Sequence, residues 1–430
     1  MIKMKNKYLN LIVVFMILFV LIFPSLVFAD EEELTIDSPA VVLMDGSSGK
    51  ILFEKNSNEK MYPASLTKIL TAIVVLENCD NLNETATVSN NAVMSLSYGY
   101  VTANLQIGEE LTVDQLLHVL LIGSANDAAI VLAEHISGSV EDFAVLMNEK
   151  AKEIGCTNSN FLNPNGEHDV GHYSTANDLA LIARYAMQNE TFREIVKQTS
   201  YKLPATNEYP NDDRLFTTTN ELLIVNNNDR QDNYYYKYAI GIKTGFTTPA
   251  GNCLAAAANK DGLEFITVIL GATSNSQGFS NRYLETIKMF KYAYNNYVLK
   301  RVINSGDIVQ TVNVKHATRN TKKLDVVAQN DINALVKTED LTSSIIPTIT
   351  INENLKAPIK EGDVVGKVSY ESQGITYETN LLAKNDVKKS NDVLHVFEIF
   401  LILIVIYFFI QYRKKIIRNK KRNHYIKRAK

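Results

Sequence analysis

The chain of 430 residues is poor in the residues that staple or interrupt a small fold: it has three cysteines, nine prolines and 19 glycines, with 46% hydrophobic and 21% charged residues. Those figures exclude a disulfide scaffold, a collagenous repeat and a disordered polymer. An odd cysteine count in a chain with an export signal leaves at least one of Cys79, Cys156 and Cys253 free or paired between molecules. None has a partner at metal-ligand spacing, and their apolar or mixed surroundings suit small buried hydrophobes. The seven histidines are scattered, and the pair His168 and His172, four apart, falls in a Gly-bearing stretch that gives no metal constellation. A nucleotide-binding loop, an internal repeat and a long low-complexity run are also missing. The length favours two or three domains.

Basic residues are scarce in the body of the chain. Ten of the 44 Lys and Arg lie between Arg413 and Lys430, and three more are Lys3, Lys5 and Lys7. From Asp30 to Asp392 there remain 31 basic against 46 acidic residues, although the formal charge of the whole chain is only -3. A nucleic-acid-binding body is excluded on that sign.

What is abundant is apolar sequence at the two ends. Three lysines, an apolar run from Leu9 to Phe23, Pro24 and the small-residue end Val27-Phe28-Ala29 form the pattern of a secretory signal, with Ala29 as the last residue removed. An uncleaved anchor is the alternative. From Val393 to Tyr412 about 20 residues are enough to cross a hydrocarbon core of roughly 30 Å. His395 and Glu398 fall in its first two turns, where they reach the interface, and an amphipathic surface helix is the competing reading. The basic tail 413–430 follows, so the positive-inside rule places it in the cytoplasm and the body outside. The expected organisation is a signal peptide 1–29, a main domain 30–298, a small all-β domain 299–384, a linker 385–392, a transmembrane helix 393–412 and the tail.

Within the body, Ala40 to Met44 and Lys50 to Phe53 flank a Gly-bearing turn and read as a hairpin. Helical spacing of apolar residues runs from Leu66 to Leu76 with Ser65 at its start, then from Val113 to Leu121, Asp127 to His135, Glu141 to Ile154 and Thr175 to Met187. Ala239 to Thr244, Asn252 to Ala258 and Phe265 to Leu270 read as adjacent antiparallel strands, and Arg282 to Tyr297 as a closing helix. This order predicts an α+β fold, a sheet flanked by helices. From Val302 to Ala383 Val, Ile and Thr alternate with polar residues, which predicts the small all-β domain. The polar stretch 226–231 and the run Tyr234-Tyr235-Tyr236-Lys237-Tyr238 read as an exposed hairpin tip, or as a surface for stacking on a polymeric ligand.

Ser65-Leu66-Thr67-Lys68 puts a hydroxyl and an amine on one side of a helix, a nucleophile and a base. Alone the spacing is nearly uninformative, since Ser47 with Lys50 and Ser57 with Lys60 share it, but only Ser65 starts an apolar helix. Ser124-Ala125-Asn126 lies between two helical patterns, where either polar side chain could instead cap the helix at Asp127. Ser89-Asn90-Asn91 has the same spacing in a polar loop. Lys243-Thr244-Gly245 ends an apolar strand, where a lysine is costly unless it is paired or used, and the glycine admits another backbone or a ligand.

The three elements in this order resemble the penicillin-recognising serine D,D-peptidases, and among them the low-molecular-weight D-alanyl-D-alanine carboxypeptidases. The resemblance rests on Tyr62 to Lys68, Ser124 to Ala129, His172 to Ala176 with Asp178-Leu179-Ala180, and Gly241 to Thr247. It implies a β-lactamase/transpeptidase-like sheet, no cofactor and no metal. It implies that Ser65 attacks the bond between the last two D-alanines of a peptidoglycan stem peptide, with Lys68 as general base and Ser124 as proton relay. Asn126 would hold the substrate amide. The N–H groups of Ser65 and Phe246 would form the oxyanion hole, and Thr244 with Lys243 and Arg282 would bind the terminal carboxylate beside Gly245. β-Lactams are the expected covalent inhibitors and the cytoplasmic membrane the expected anchorage. One departure is Glu167, where the family usually has Leu: it either faces solvent or orders a deacylation water. A D,D-endopeptidase, a β-lactamase and a non-catalytic penicillin-binding sensor remain as alternatives.

Overall fold

The computed structural model describes residues 34–210, 214–225, 234–390 and 392–428. The expected signal segment 1–29 and the polar stretch 226–231 lie outside them. The chain divides into two compact units between Tyr292 and Ala293.

The first unit is built on a five-stranded antiparallel sheet of order β2-β1-β9-β8-β7: β1 (Ala40–Asp45), β2 (Ile51–Lys55), β7 (Ala239–Thr247), β8 (Gly251–Lys260) and β9 (Leu263–Ala272). Two short two-stranded antiparallel pairs lie outside it, β3 (Thr85–Thr87) with β4 (Glu110–Thr112), and β5 (Ser200–Leu203) with β6 (Arg214–Thr217). Every residue of β1 is buried, so the sheet is covered on both faces, and its central strands read as continuous apolar runs for that reason. The helices are α1 (Thr67–Asn78), α2 (Asn90–Met94), α3 (Val113–Leu121), α4 (Asn126–Ser137), α5 (Val140–Ile154), α6 (Ala176–Ala186), α7 (Glu190–Val196) and α8 (Asn281–Asn296). Helix α1 is the hub: Ile69, Leu70, Ile73 and Val74 are buried, and it packs on α4, α5 and α6.

Local sequence sets the helix starts. Thr112 and Gln115 form a capping box at α3, while Ser139 caps α5 and Thr175 caps α6. The start of α4 is different. Its N-cap is Ala125, and neither Ser124 nor Asn126 caps the helix with its side chain. The capping explanation of those two residues therefore fails, and they are held for another reason. The look-alike serines are accounted for by turns: Ser47 donates to Asp45 at 2.8 Å, Ser57 to Glu54 at 2.5 Å, and Ser89 caps α2.

The tyrosine run does not form an exposed tip. Tyr234 is buried and packs on Tyr283 with ring centroids 4.8 Å apart, its hydroxyl accepting from Ser280 N–H, and Tyr236 stacks on Phe290 at 5.6 Å. Aromatic burial against α8 outweighs exposure here, because each ring removes a large apolar area from water.

From Tyr297 to its last helix the second unit is built of strands, as its alternating pattern predicts, with one short 3-10 helix at Thr338–Thr342. Strands β10 (Tyr297–Ile303) and β13 (Ile332–Lys337) pair, and a five-stranded antiparallel sheet runs β11-β12-β16-β15-β14. Those strands are β11 (Ile308–Asn313), β12 (Lys323–Ala328), β14 (Thr348–Ile351), β15 (Val364–Ser372) and β16 (Ile375–Ala383). Leu324, Val326, Val368 and Leu381 anchor its core. Helix α9 (Asp392–Arg428) follows, and Val396–Asn423 within it is long and apolar enough to cross a membrane.

Candidate active site

Ser65 lies in a single 3-10 turn, Ala64–Leu66, that leads into α1. The turn is held from two sides. Ala64 has φ +47°, in the left-handed region, a conformation that persists only where surrounding structure enforces it. On one side Gly166 passes so close that a Cβ there would stand 1.9 Å from the Ala64 carbonyl oxygen. On the other, a Cβ on Gly245 of β7 would stand 3.1 Å from the Pro63 carbonyl oxygen and 3.2 Å from the Ser65 nitrogen. Gly245 is therefore needed for backbone approach, and its strand brings residue 246 beside the serine.

Lys68, one turn further along, is fully buried and its Nζ reaches three acceptors at 2.8 Å each: Ser65 Oγ, Asn126 Oδ1 and the Asn165 carbonyl. A charged ammonium donates to all three. A neutral amine donates to the two carbonyl-type oxygens, and its lone pair is then left facing Ser65 Oγ. Burial, and next the charge of Lys243, hold this lysine well below the ordinary range, while Asp127 opposes them.

Lys243 is the second buried cation. Its Nζ donates to Ser124 Oγ at 2.9 Å and to the Thr244 carbonyl at 3.1 Å. Burial and the Arg282 guanidinium lower it to about 7. Ser124 has φ +61°, so the tight turn before α4 aims its hydroxyl at this amine. Asn126 bridges the site, accepting from Lys68 and donating its Nδ2 to the Val101 carbonyl at 2.7 Å. Thr244 Oγ1 lies 2.5 Å from Thr219 Oγ1. Arg282 donates to the Gly245 carbonyl at 3.4 Å and packs over the Tyr283 ring.

A cavity of about 690 Å³ opens over these groups, lined by Ser65, Ser124, Asn126, Thr244, Phe246 and Arg282 among others. The residues singled out in the sequence thus meet at one place, with Lys68 and Lys243 beneath the surface and Phe246 62% exposed at the mouth. Sequence reasoning missed several wall residues: the segment Ser97 to Val101, Thr219, and the Asn165 carbonyl that anchors Lys68. It also missed Asp127, whose buried carboxylate accepts from the N–H groups of Ala103, Leu105 and Ala128 and so fixes the segment that Asn126 bonds. Its only sequence signal is its place beside Asn126. His172 is structural: Nδ1 accepts from Leu162 N–H, Nε2 lies 2.9 Å from Thr67 Oγ1, and burial lowers the ring to about 4, so it is neutral at pH 7.

Both lysines make stability depend on pH. Below its folded-state value a buried lysine is protonated folded and unfolded alike, and the cost of burying the charge is felt in full. Above it, the folded chain has shed a proton that the unfolded chain keeps up to about pH 10.4, so stability rises across that window. For Lys243 the window opens near pH 7. The thermal midpoint of the detergent-solubilised chain, measured with reductant present, is expected to rise from pH 7 to 9. The rise should be smaller in Lys243→Met, since one lysine contributes at most about 1.4 kcal/mol per pH unit. Identical pH slopes for the two chains would contradict this.

A buried lysine on the serine's own helix, a second lysine on the facing strand edge and a cleft between sheet and helices are the machinery of a serine D,D-peptidase. The comparisons narrow that class. Residues 27–274 match the family described as D-alanyl-D-alanine carboxypeptidase, and residues 297–389 match the penicillin-binding protein 5 C-terminal domain. The D-alanyl-D-alanine carboxypeptidase DacF of Bacillus subtilis is 32% identical over 83% of this chain and 88% of its own length. DacC of Escherichia coli is 30% identical over 84% and 87%. Penicillin-binding protein 5 of Haemophilus influenzae superposes with a TM-score of 0.63 at 26% identity, covering 83% of this chain and 98% of that one. The chain belongs to the D-alanyl-D-alanine carboxypeptidase family, serine hydrolases of the penicillin-binding protein type.

Proposed function

We propose that the protein removes the terminal D-alanine from peptidoglycan stem pentapeptides through an acyl-enzyme on Ser65, and that β-lactams acylate the same oxygen. The observation that carries this reading is the three-acceptor cradle around Lys68 Nζ, which leaves a neutral amine one direction in which to take a proton, toward Ser65 Oγ. A free lysine near 10.4 must fall by about three units to act at pH 7, roughly 4 kcal/mol of bias, and burial beside Lys243 works in that direction. Ser65 Oγ attacks the carbonyl, its proton passes to Lys68, and the oxyanion forms against the N–H groups of Ser65 and Phe246. Ser124, bonded to Lys243, gives its proton to the leaving D-alanine amine and takes in exchange the one held by Lys68, which is then neutral again. Asn126 orients the stem amide, and Lys243, Thr244 and Arg282 receive the terminal carboxylate. Water then hydrolyses the ester with Lys68 again as base.

In this reading residues 1–29 direct export and are removed. Residues 30–298 form the catalytic domain and 299–384 the β domain, and 385–392 lead from it to the anchor, with Val387 and Lys389 bridged to the β domain on the way. Residues 393–412 span the membrane once, with 413–430 in the cytoplasm. The test is mass spectrometry of the full chain in detergent, incubated with penicillin and separately with a diacetyl-L-Lys-D-Ala-D-Ala substrate. An adduct on the peptide containing Ser65 together with D-alanine release is expected. An adduct without D-alanine release would instead favour an endopeptidase or a sensor, and rapid penicillin turnover a β-lactamase. No adduct would remove the assignment of Ser65.

Glu167 favours a wall role over water activation. Its Oε1 accepts from Ser97 Oγ at 2.6 Å, tying the loop that carries Gly166 to the segment at Ser97. Glu167→Leu is expected to leave the lifetime of the penicilloyl adduct within about threefold of the parent. A general base would be worth about 10²-fold or more, so a lifetime lengthened on that scale would assign Glu167 to deacylation.

A further inference from the structure

The end of the β domain that leads into α9 carries a charge pattern that the peptidase reaction does not use. Three segments meet there: 314–323, which joins β11 to β12 and includes the first residue of β12, 353–361 between β14 and β15, and 384–390 after β16. Lys315 pairs with Lys356, Ala317 with Lys389 and Ile359 with Val387. Ser390 N–H donates to the His316 carbonyl at 2.7 Å, and Thr318 N–H to the Lys388 carbonyl at 2.9 Å. Together the segments hold nine Lys and Arg against three carboxylates, Glu353, Glu361 and Asp386, and 314–323 has no acid at all. Asp386 is engaged by the Glu361 N–H at 2.9 Å.

These cations are presented to solvent. Lys315, Arg319, Lys322, Lys356, Lys388 and Lys389 are exposed, and among the described residues none of the six is in an ion pair, in contrast to Lys367, which pairs with Glu378 on the same domain. Among the described residues the side chain of Lys315 reaches only Asn354 Oδ1, at 3.3 Å. A shallow cavity of about 600 Å³ lies among Asn313, Lys315, His316, Lys322 and Ser390. Holding nine like charges together with only three carboxylates costs stability, and the cost falls when an external anion lies against them.

Chain connectivity names the anion. Helix α9 begins at Asp392, three residues after Lys389, and its apolar stretch at Val396. Three extended residues and four helical ones span no more than about 17 Å, and the head-group layer adds several ångströms above the hydrocarbon. The cluster is thus tethered at the depth where lipid phosphates lie. With the apolar segment inserted, encounter with those phosphates is intramolecular, and weak individual contacts suffice. We infer that the basic end of the β domain, built on Lys315, Lys356, Lys388 and Lys389, docks on anionic phospholipid head groups and seats the domain against the membrane beside its own anchor. The inference rests on the reading of α9 as that anchor.

The test is amine acetylation of the full chain reconstituted in lipid nanodiscs, read lysine by lysine by mass spectrometry. In discs containing phosphatidylglycerol, Lys315, Lys356, Lys388 and Lys389 are expected to react several-fold more slowly than in phosphatidylcholine discs, with Lys367 unchanged. The difference should vanish at high salt, as contacts at head-group distance are screened. Lys315→Glu with Lys356→Glu should abolish it at Lys388 and Lys389. Retention of the chain in both discs with equal reactivity would overturn the docking alone. Loss of the chain from both discs would overturn the anchor reading and the docking with it. Protection of the same lysines in detergent by soluble polyglycerol phosphate, without any lipid effect, would assign the site to a free phosphate polymer and overturn the bilayer.

Discussion

Lys68→Met is expected to slow acylation of Ser65 by penicillin between about 10²-fold and 10⁴-fold, the range that a positioned general base contributes. The substitution keeps the length and apolar stem of the side chain but removes the only group bonded to Ser65 Oγ among the described residues. It also leaves Asn126 Oδ1 and the Asn165 carbonyl without the amine they accept from, at about 1–3 kcal/mol for each buried group left unpaired. Removal of an amine that folding forces to shed its proton offsets part of that loss. The thermal midpoint should therefore change much less than the rate. Stopped-flow acylation beside a thermal scan separates the two. A Lys68→Met chain that acylates within tenfold of the parent would show that another group takes the serine proton.

Gly166→Ala is expected to cost about 10²-fold or more in acylation, the effect of misplacing a reacting atom by about 1 Å. The new Cβ would stand 1.9 Å from the Ala64 carbonyl oxygen and 2.4 Å from its carbon, both backbone atoms that have no rotamer by which to yield. Either the loop carrying Gly166 or the turn carrying Ser65 must move. Gly155→Ala is the matched control. Gly155 also has a left-handed backbone, φ +102°, but an added Cβ there meets nothing within 4 Å. That variant bears only the conformational cost of roughly 1–2 kcal/mol and should acylate normally. Equal loss in the two variants would show that backbone strain, rather than the clash at Ala64, is responsible.

Much of this site was legible because its residues are ill suited to their surroundings. A lysine inside an apolar strand and a serine opening an apolar helix each call for a reason, and the same is true of the strands around them. The central helices were legible for the opposite reason, since their apolar spacing and caps agree, as at Thr112 with Gln115. Short elements were not. Helices α2 and α7, and the strand pairs β3–β4 and β5–β6, are too brief to develop a periodicity. The wall at Ser97 to Val101 and the carbonyl of Asn165 were invisible because backbone geometry, not residue type, recruits them. The tyrosine run misled for a related reason, as nothing in its own sequence indicates that α8 lies alongside.

The three cysteines come from the end of α1, the connection between α5 and α6, and β8. All are free and buried, and burial raises the thiols, Cys253 to about 11. Their protection is thus acquired with the fold and belongs to no sulfur individually. Once the chain opens, three thiols with no native partners become available together, and oxidation can join one molecule to the next. Under non-reducing conditions unfolding should therefore be a one-way event, and the lifetime of the protein is then set by how seldom it opens rather than by an equilibrium.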